Sequence, residues 1–116
     1  MLVEADPRVR EASAAALETA GYRVIPVSSS SRAVREAQRR KRRIHLLVAD
    51  LATCGGTDLI GPVREAHPGV KILFLAGASV PATDLPILEK PFTPESLSAA
   101  ARDALDACWT PQPPRA

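Results

Sequence analysis

Three charged residues stand where short apolar runs end. Asp50 closes Ile44-His45-Leu46-Leu47-Val48-Ala49, Glu4 follows Met1-Leu2-Val3, and Lys90 lies just past Ile87-Leu88-Glu89. An aspartate suits the interior of a strand poorly and suits its C-terminal edge well. In open α/β sheets that edge is where ligands bind. Two carboxylates brought together repel each other unless a cation joins them, and a hard divalent ion such as Mg²⁺ with oxygen ligands is the usual partner. A lysine ammonium beside them can neutralise a phosphoryl oxygen. A carboxylate flanked by a metal and a lysine is a plausible nucleophile toward phosphorus.

Other chemistries find no support. Neither common glycine-rich phosphate loop is present, and no serine-elbow pattern occurs. His45 falls inside an apolar run and His67 in a turn, so they are not spaced as a metal pair. Cys54 and Cys108 make neither a disulfide framework nor a zinc site. Cys54 has no cation beside it to lower its pKa and reads as a buried or loop-filling thiol.

The totals fit one soluble domain. The chain has 116 residues, 46% hydrophobic and 24% charged, with a formal charge of +2. Aromatics make up only 3%, so the core must come from Leu, Val, Ile and Ala. No apolar run nears the roughly 18 residues of a membrane span. Glu4 and Asp6 occupy the place where a secretion signal needs positive charge, so the expected location is the cytoplasm, with no membrane partner.

The elements that must position Glu4, Asp50 and Lys90 alternate along the chain. Met1–Val3 is a very short first strand. Asp6 caps a helix that has Pro7 at its first position, carries Val9, Ala12, Ala16 and Ala20 at helical spacing, and stops at Gly21. Tyr22–Val27 is a second strand. The serines at 28–31 supply a cap for a helix through Ala33, Val34 and Ala37. That helix ends in Arg39-Arg40-Lys41-Arg42-Arg43, which reads as a solvated C-terminus favoured by the dipole; without interleaved aromatics it argues weakly for nucleic acid, a disfavoured partner. Ile44–Asp50 is the central strand, continuous in apolar character as a doubly covered strand must be. A Gly-containing loop leads to a helix that begins near Thr57-Asp58 or at Gly61-Pro62 and ends at His67-Pro68-Gly69. Val70–Leu75 is a fourth strand and Ile87-Leu88 a short fifth. Thr93 then caps a last helix with Pro94 at its first position and Leu97, Ala101, Ala104, Leu105 and Cys108 on its apolar face. Residues 1–108 form the domain, and 109–116 are a Pro-rich tail in which Trp109 serves as a packing anchor.

Such alternation argues a parallel sheet wrapped on both faces. For five strands the flavodoxin-like order 2-1-3-4-5 is the natural choice, and it makes the ends of strands one and three neighbours. Glu4 then lies beside Asp50, with Lys90 reaching in from strand five.

Four blocks resemble the response-regulator receiver domain of two-component signalling. They are Leu2-Val3-Glu4-Ala5-Asp6-Pro7-Arg8-Val9-Arg10-Glu11, Leu46-Leu47-Val48-Ala49-Asp50-Leu51, His67-Pro68-Gly69-Val70-Lys71-Ile72-Leu73-Phe74-Leu75, and Leu88-Glu89-Lys90-Pro91-Phe92-Thr93-Pro94-Glu95-Ser96-Leu97. The last block is similar to receivers attached to hybrid histidine kinases. The resemblance implies that Asp50 is the phosphoacceptor and Lys90 the phosphoryl contact. It implies a metal pocket of Glu4, Asp50 and the Ala52 backbone carbonyl, with Asp6 a further candidate. It also implies a cis bond before Pro91. The implied activity is acceptance of a phosphoryl group from a histidine kinase or histidine phosphotransfer protein, assisted by Mg²⁺, by a signalling module that is not a turnover enzyme; a homodimer stays open.

The chain departs from the family's pattern in ways that bear on function. Ala5 stands where the second acid of an acidic pair lies nearest the metal, which implies weak Mg²⁺ binding. Ala76 replaces a phosphoryl-binding Ser or Thr, with Ser79 three residues too late. Ile87 replaces an aromatic switch residue. The loop after Asp50 is about two residues short, with Gly56 or Gly61 as the family's glycine. Residues 77–86 leave room only for a shortened or missing fourth helix. These departures set a phosphorylation-independent interaction module beside the phosphoacceptor reading.

Overall fold

Period-two alternation along the strands divides the core in two, as the computed structural model makes plain. The structure describes residues 1–54, 59–77 and 85–106. In chain order the elements are β1 (Leu2–Val3), α1 (Pro7–Thr19), β2 (Pro26–Val27), α2 (Ser30–Arg39), β3 (Leu46–Asp50), α3 (Leu51–Cys54), α4 (Ile60–Ala66), β4 (Lys71–Ala76), β5 (Ile87–Glu89) and α5 (Pro94–Asp106). All pairings are parallel and the order is β2-β1-β3-β4-β5, the doubly wound arrangement anticipated from the alternation.

Val3, Leu47, Ala49, Ile72 and Phe74 point to one face and pack with Ala33 and Ala37 of α2 and Val63 of α4. Leu2, Val48, Leu73 and Leu75 point to the other and pack with Leu17 of α1 and Leu97, Ala101 and Ala104 of α5. Each strand therefore needs apolar residues at every position, which is why β3 and β4 read as unbroken apolar runs. Among the described residues Phe74 is the large ring that is fully buried.

Several details differ from the sequence expectation. Helix α1 turns Ser13 and Leu17 inward, while Ala12 and Ala20 are exposed and Val9 and Ala16 are half-buried. Leu17 is the helix's largest aliphatic side chain, and its burial against α5 outweighs that of single methyl groups and sets the rotation. Strand β2 shrinks to Pro26–Val27 because its only neighbour, β1, is two residues long. It is an edge strand; Leu2 N–H bonds the Ile25 carbonyl and Glu4 N–H bonds the Val27 carbonyl, so the backbone of Pro26 faces outward. Helix α2, capped by the Ser29 side chain, ends at Arg39, and Arg40 is already extended. Arg39 and Arg40 both pair with Glu36, at 3.1 and 3.2 Å. Strand β3 begins at Leu46 rather than Ile44. In place of a loop, α3 starts directly after Asp50. The helix start near Thr57-Asp58, the role of Gly56, the tail with Trp109, Cys108, Ser79 and the extent of the fourth helix lie outside the described residues, as does the side chain of Cys54.

His67 is a structural residue. Its Nδ1 accepts from Ile44 N–H at 3.2 Å, which leaves Nε2–H to donate to the Ala37 carbonyl at 2.8 Å. One buried imidazole thus ties the ends of α2 and α4 to the chain entering β3. Beyond it, Gly69 takes a φ of 90°, a left-handed turn that a side chain would strain.

Candidate functional site

The register of the strands sets the site. Val3 pairs with Ala49, so the next residues, Glu4 and Asp50, leave the sheet side by side. Ala76 pairs with Glu89, and Lys90 N–H extends that ladder to the Ala76 carbonyl at 2.7 Å. Glu4, Asp50 and Lys90 each lie two residues past a member of the same core cluster (Leu2, Val48 and Leu88). Period-two geometry therefore sends all three side chains to the same side of the sheet edge. The Lys90-Pro91 peptide is cis, as the resemblance implies.

The side chains meet. Lys90 Nζ lies 2.7 Å from Glu4 Oε1 and 2.9 Å from Asp50 Oδ1. Both acids are nearly enclosed, with side-chain exposures of 3% for Glu4 and 7% for Asp50, while Lys90 keeps 27%. Burial alone would push the Asp50 carboxyl up. The hydrogen bonds from Lys90 and Thr53 together outweigh it and hold the group below the usual carboxylate range. Burial likewise opposes charge on Lys90, and its bonds to Glu4 and Asp50 overcome this and raise its pKa. Asp50 and Lys90 are thus held as ions at neutral pH.

Two residues that complete the site were not singled out from the sequence. Thr53 donates to Asp50 Oδ2 through its N–H at 3.0 Å and its hydroxyl at 2.9 Å, and its Oγ1 accepts from Ala5 N–H at 3.0 Å. The signal was available: Asp-x-x-Thr at the start of a helical turn is a capping arrangement, with Asp50 as the cap of α3. Arg10, one turn into α1, donates from Nη1 to the Glu4 carbonyl at 2.9 Å and the Ala5 carbonyl at 3.3 Å.

The other candidate ligands are placed elsewhere. Asp6 is exposed and its Oδ1 caps α1 by accepting from Arg8 N–H at 2.9 Å. Ala52 is exposed within α3, the helical turn that Asp50 caps. Ala76 ends β4 and offers no hydroxyl; Ile87 is half-buried against the α2/α4 core. Among the described residues no three His, Cys, Asp or Glu side chains converge. Glu4 and Asp50 share one ammonium, and their remaining oxygens accept from Asp6 N–H at 3.2 Å and from Thr53. This donor set does not fit a resident divalent cation.

No protein-family model matches the chain. It is 27% identical over 116 residues to the sensor kinase CckA of Brucella abortus strain 2308, across 91% of this chain and 12% of that one, so it spans about an eighth of that kinase's length. The crystal structure of a response regulator receiver protein from Sinorhizobium medicae WSM419 superimposes with a TM-score of 0.79 at 27% identity, covering 91% of this chain and 92% of the other. A response regulator from Burkholderia pseudomallei, crystallised with a phosphorylated aspartic acid, calcium ion and citrate, gives a TM-score of 0.74 at 25% identity, covering 89% and 66%. In fold, strand order and sequence blocks the chain is similar over about nine-tenths of its length to the response-regulator receiver domains of two-component signalling.

Proposed function

We propose that the chain is a receiver that accepts a phosphoryl group on Asp50 from a histidine of a partner kinase or phosphotransfer protein in the cytoplasm. An Asp50 carboxylate oxygen attacks phosphorus, the P–N bond breaks, and the imidazole leaves with the electron pair and takes a proton from solvent. The product is an acyl phosphate, and the chain itself does not turn over. One observation carries this reading: Lys90 Nζ sits 2.9 Å from Asp50 Oδ1 and is held there by Glu4, so an ammonium is preset where charge develops on the transferred group. Mg²⁺ is at most a weak ligand, because Ala5 brings no carboxylate to the edge.

Intact-mass analysis after incubation with a small phosphodonor tests this. The expected result is addition of one phosphoryl group that disappears in Asp50→Asn. Wild-type protein that gains no mass from either a small phosphodonor or a phosphorylated histidine kinase refutes it.

One observation favours a second reading. Every oxygen of the Glu4 and Asp50 carboxylates already accepts from a protein donor. A site that is complete by itself suits a phosphorylation-independent interaction module. Binding of a partner to wild type and Asp50→Asn with equal affinity supports that alternative.

A further inference from the structure

Thr53 is a polar side chain at the site that the proposed transfer does not use, and its bonding has a fixed direction. A backbone N–H can only donate, so the 3.0 Å contact from Ala5 makes Oγ1 the acceptor there. The hydroxyl proton is then free for Asp50 Oδ2 at 2.9 Å, the oxygen that Thr53 N–H also reaches. Thr53 thus bridges the end of β1 and the carboxylate at the end of β3. Lys90 takes the other oxygen, Oδ1, together with Glu4. Both Asp50 oxygens therefore already accept from a protein donor, Oδ1 from Lys90 and Oδ2 from Thr53.

The protein supplies cations of its own at this edge. Glu4 and Asp50 bring two negative charges. Lys90 brings one positive charge, and the Arg10 guanidinium, bonded to the Glu4 and Ala5 carbonyls, brings the second. We propose that the Thr53 hydroxyl takes the place of a divalent cation in this site. It holds Oδ2 as a positioning residue, keeps Oδ1 turned to Lys90, and makes the edge a metal-independent carboxylate site. The positioning part rests on the phosphoacceptor reading above; the exclusion of metal does not.

A mutant cycle decides it. Wild type, Ala5→Asp, Thr53→Ala and the double variant are titrated with Mg²⁺ and Mn²⁺ by calorimetry. Thr53→Val, which keeps the branched shape without the hydroxyl, and Thr53→Ser, which keeps the hydroxyl, are each combined with Ala5→Asp, and all are first checked by thermal melting. Wild type is expected to bind neither ion up to about 10 mM, beyond the ~1 mM weak end of oxygen-ligated sites. Ala5→Asp combined with Thr53→Ala or Thr53→Val is expected to bind at least about tenfold tighter than Ala5→Asp alone, a coupling that the Ser variant abolishes. Equal affinity of Ala5→Asp with and without the hydroxyl overturns the proposal, as does millimolar or tighter binding by wild type. These titrations need no phosphoryl group, so they stand or fall apart from the phosphoacceptor reading. In the phosphodonor assay the same proposal expects equal rates with Mg²⁺ and with chelator; a rate that collapses in chelator overturns it.

Discussion

Lys90 is the residue on which both ends of the pH range depend. The Asp50 pKa is lowered in the folded chain, so its contribution is present above the ordinary carboxylate value of about 3.9 and is lost as pH falls through the lowered one. The Lys90 pKa is raised, so its contribution is complete below the ordinary lysine value of about 10.4 and is lost as pH rises through the raised one. Wild-type stability should therefore form a plateau that breaks on both sides. Lys90→Met should lower the plateau and flatten the alkaline break, as chemical denaturation from pH 3 to 11 would record. A Lys90→Met protein with an unchanged plateau would mean the ammonium contributes nothing net. His67 makes a different residue-scale case, since its two bonds join three segments. His67→Ala should lose about 2–3 kcal/mol, because it leaves a buried amide and carbonyl without partners. A urea midpoint within error of wild type would contradict that.

At the scale of elements, most of what positions the site was legible, and the failures share a cause. The continuous apolar runs of β3 and β4 announced strands covered on both faces. The residues that close β1 and β3, and Lys90 just past β5, then followed from period two and the strand order. Asp6-Pro7 and Thr93-Pro94 marked helix starts correctly; Thr93 Oγ1 accepts from Ser96 N–H at 3.0 Å. The face of α1 was misread because alanines mark a helix face weakly; which side is buried was decided by Leu17 and its packing against α5, a tertiary fact. The turn after Asp50 was read as a loop from its glycines, whereas the aspartate itself caps a helical turn and recruits Thr53. Ser13 gives the element-scale prediction. Its hydroxyl is buried in α1 and, among the described residues, has no hydrogen-bond partner. Ser13→Ala removes that penalty and improves helix propensity, so it should raise stability by about 1 kcal/mol, read as a higher melting temperature. A lower melting temperature would show that the hydroxyl has a partner in solution.

Across the whole molecule, one sheet separates two cores, one packed on α2 and α4 and the other on α1 and α5. Ile72 faces α2 and α4, while Ala101 lies in α5 on the opposite face. Ile72→Val and Ala101→Gly should each cost about 1 kcal/mol and should add within about 0.5 kcal/mol in the double variant, since they share no partners. Strong non-additivity in urea unfolding would mean that the sheet transmits repacking from face to face. The site lies where the two cores end, so neither substitution should alter the phosphoryl acceptance proposed for Asp50.

The outer rim of the sheet has its own consequence. At β2 the backbone of Pro26 faces outward, and proline has no N–H to offer. A neighbouring chain laid against that rim would find a missing donor where a ladder needs one, and the guanidinium-rich flank of Arg32 and Arg35 would repel another copy of itself. A strand of two residues should thus guard the domain against aggregating edge to edge. Pro26→Val should restore the donor and bring concentration-dependent turbidity with little change in monomer stability.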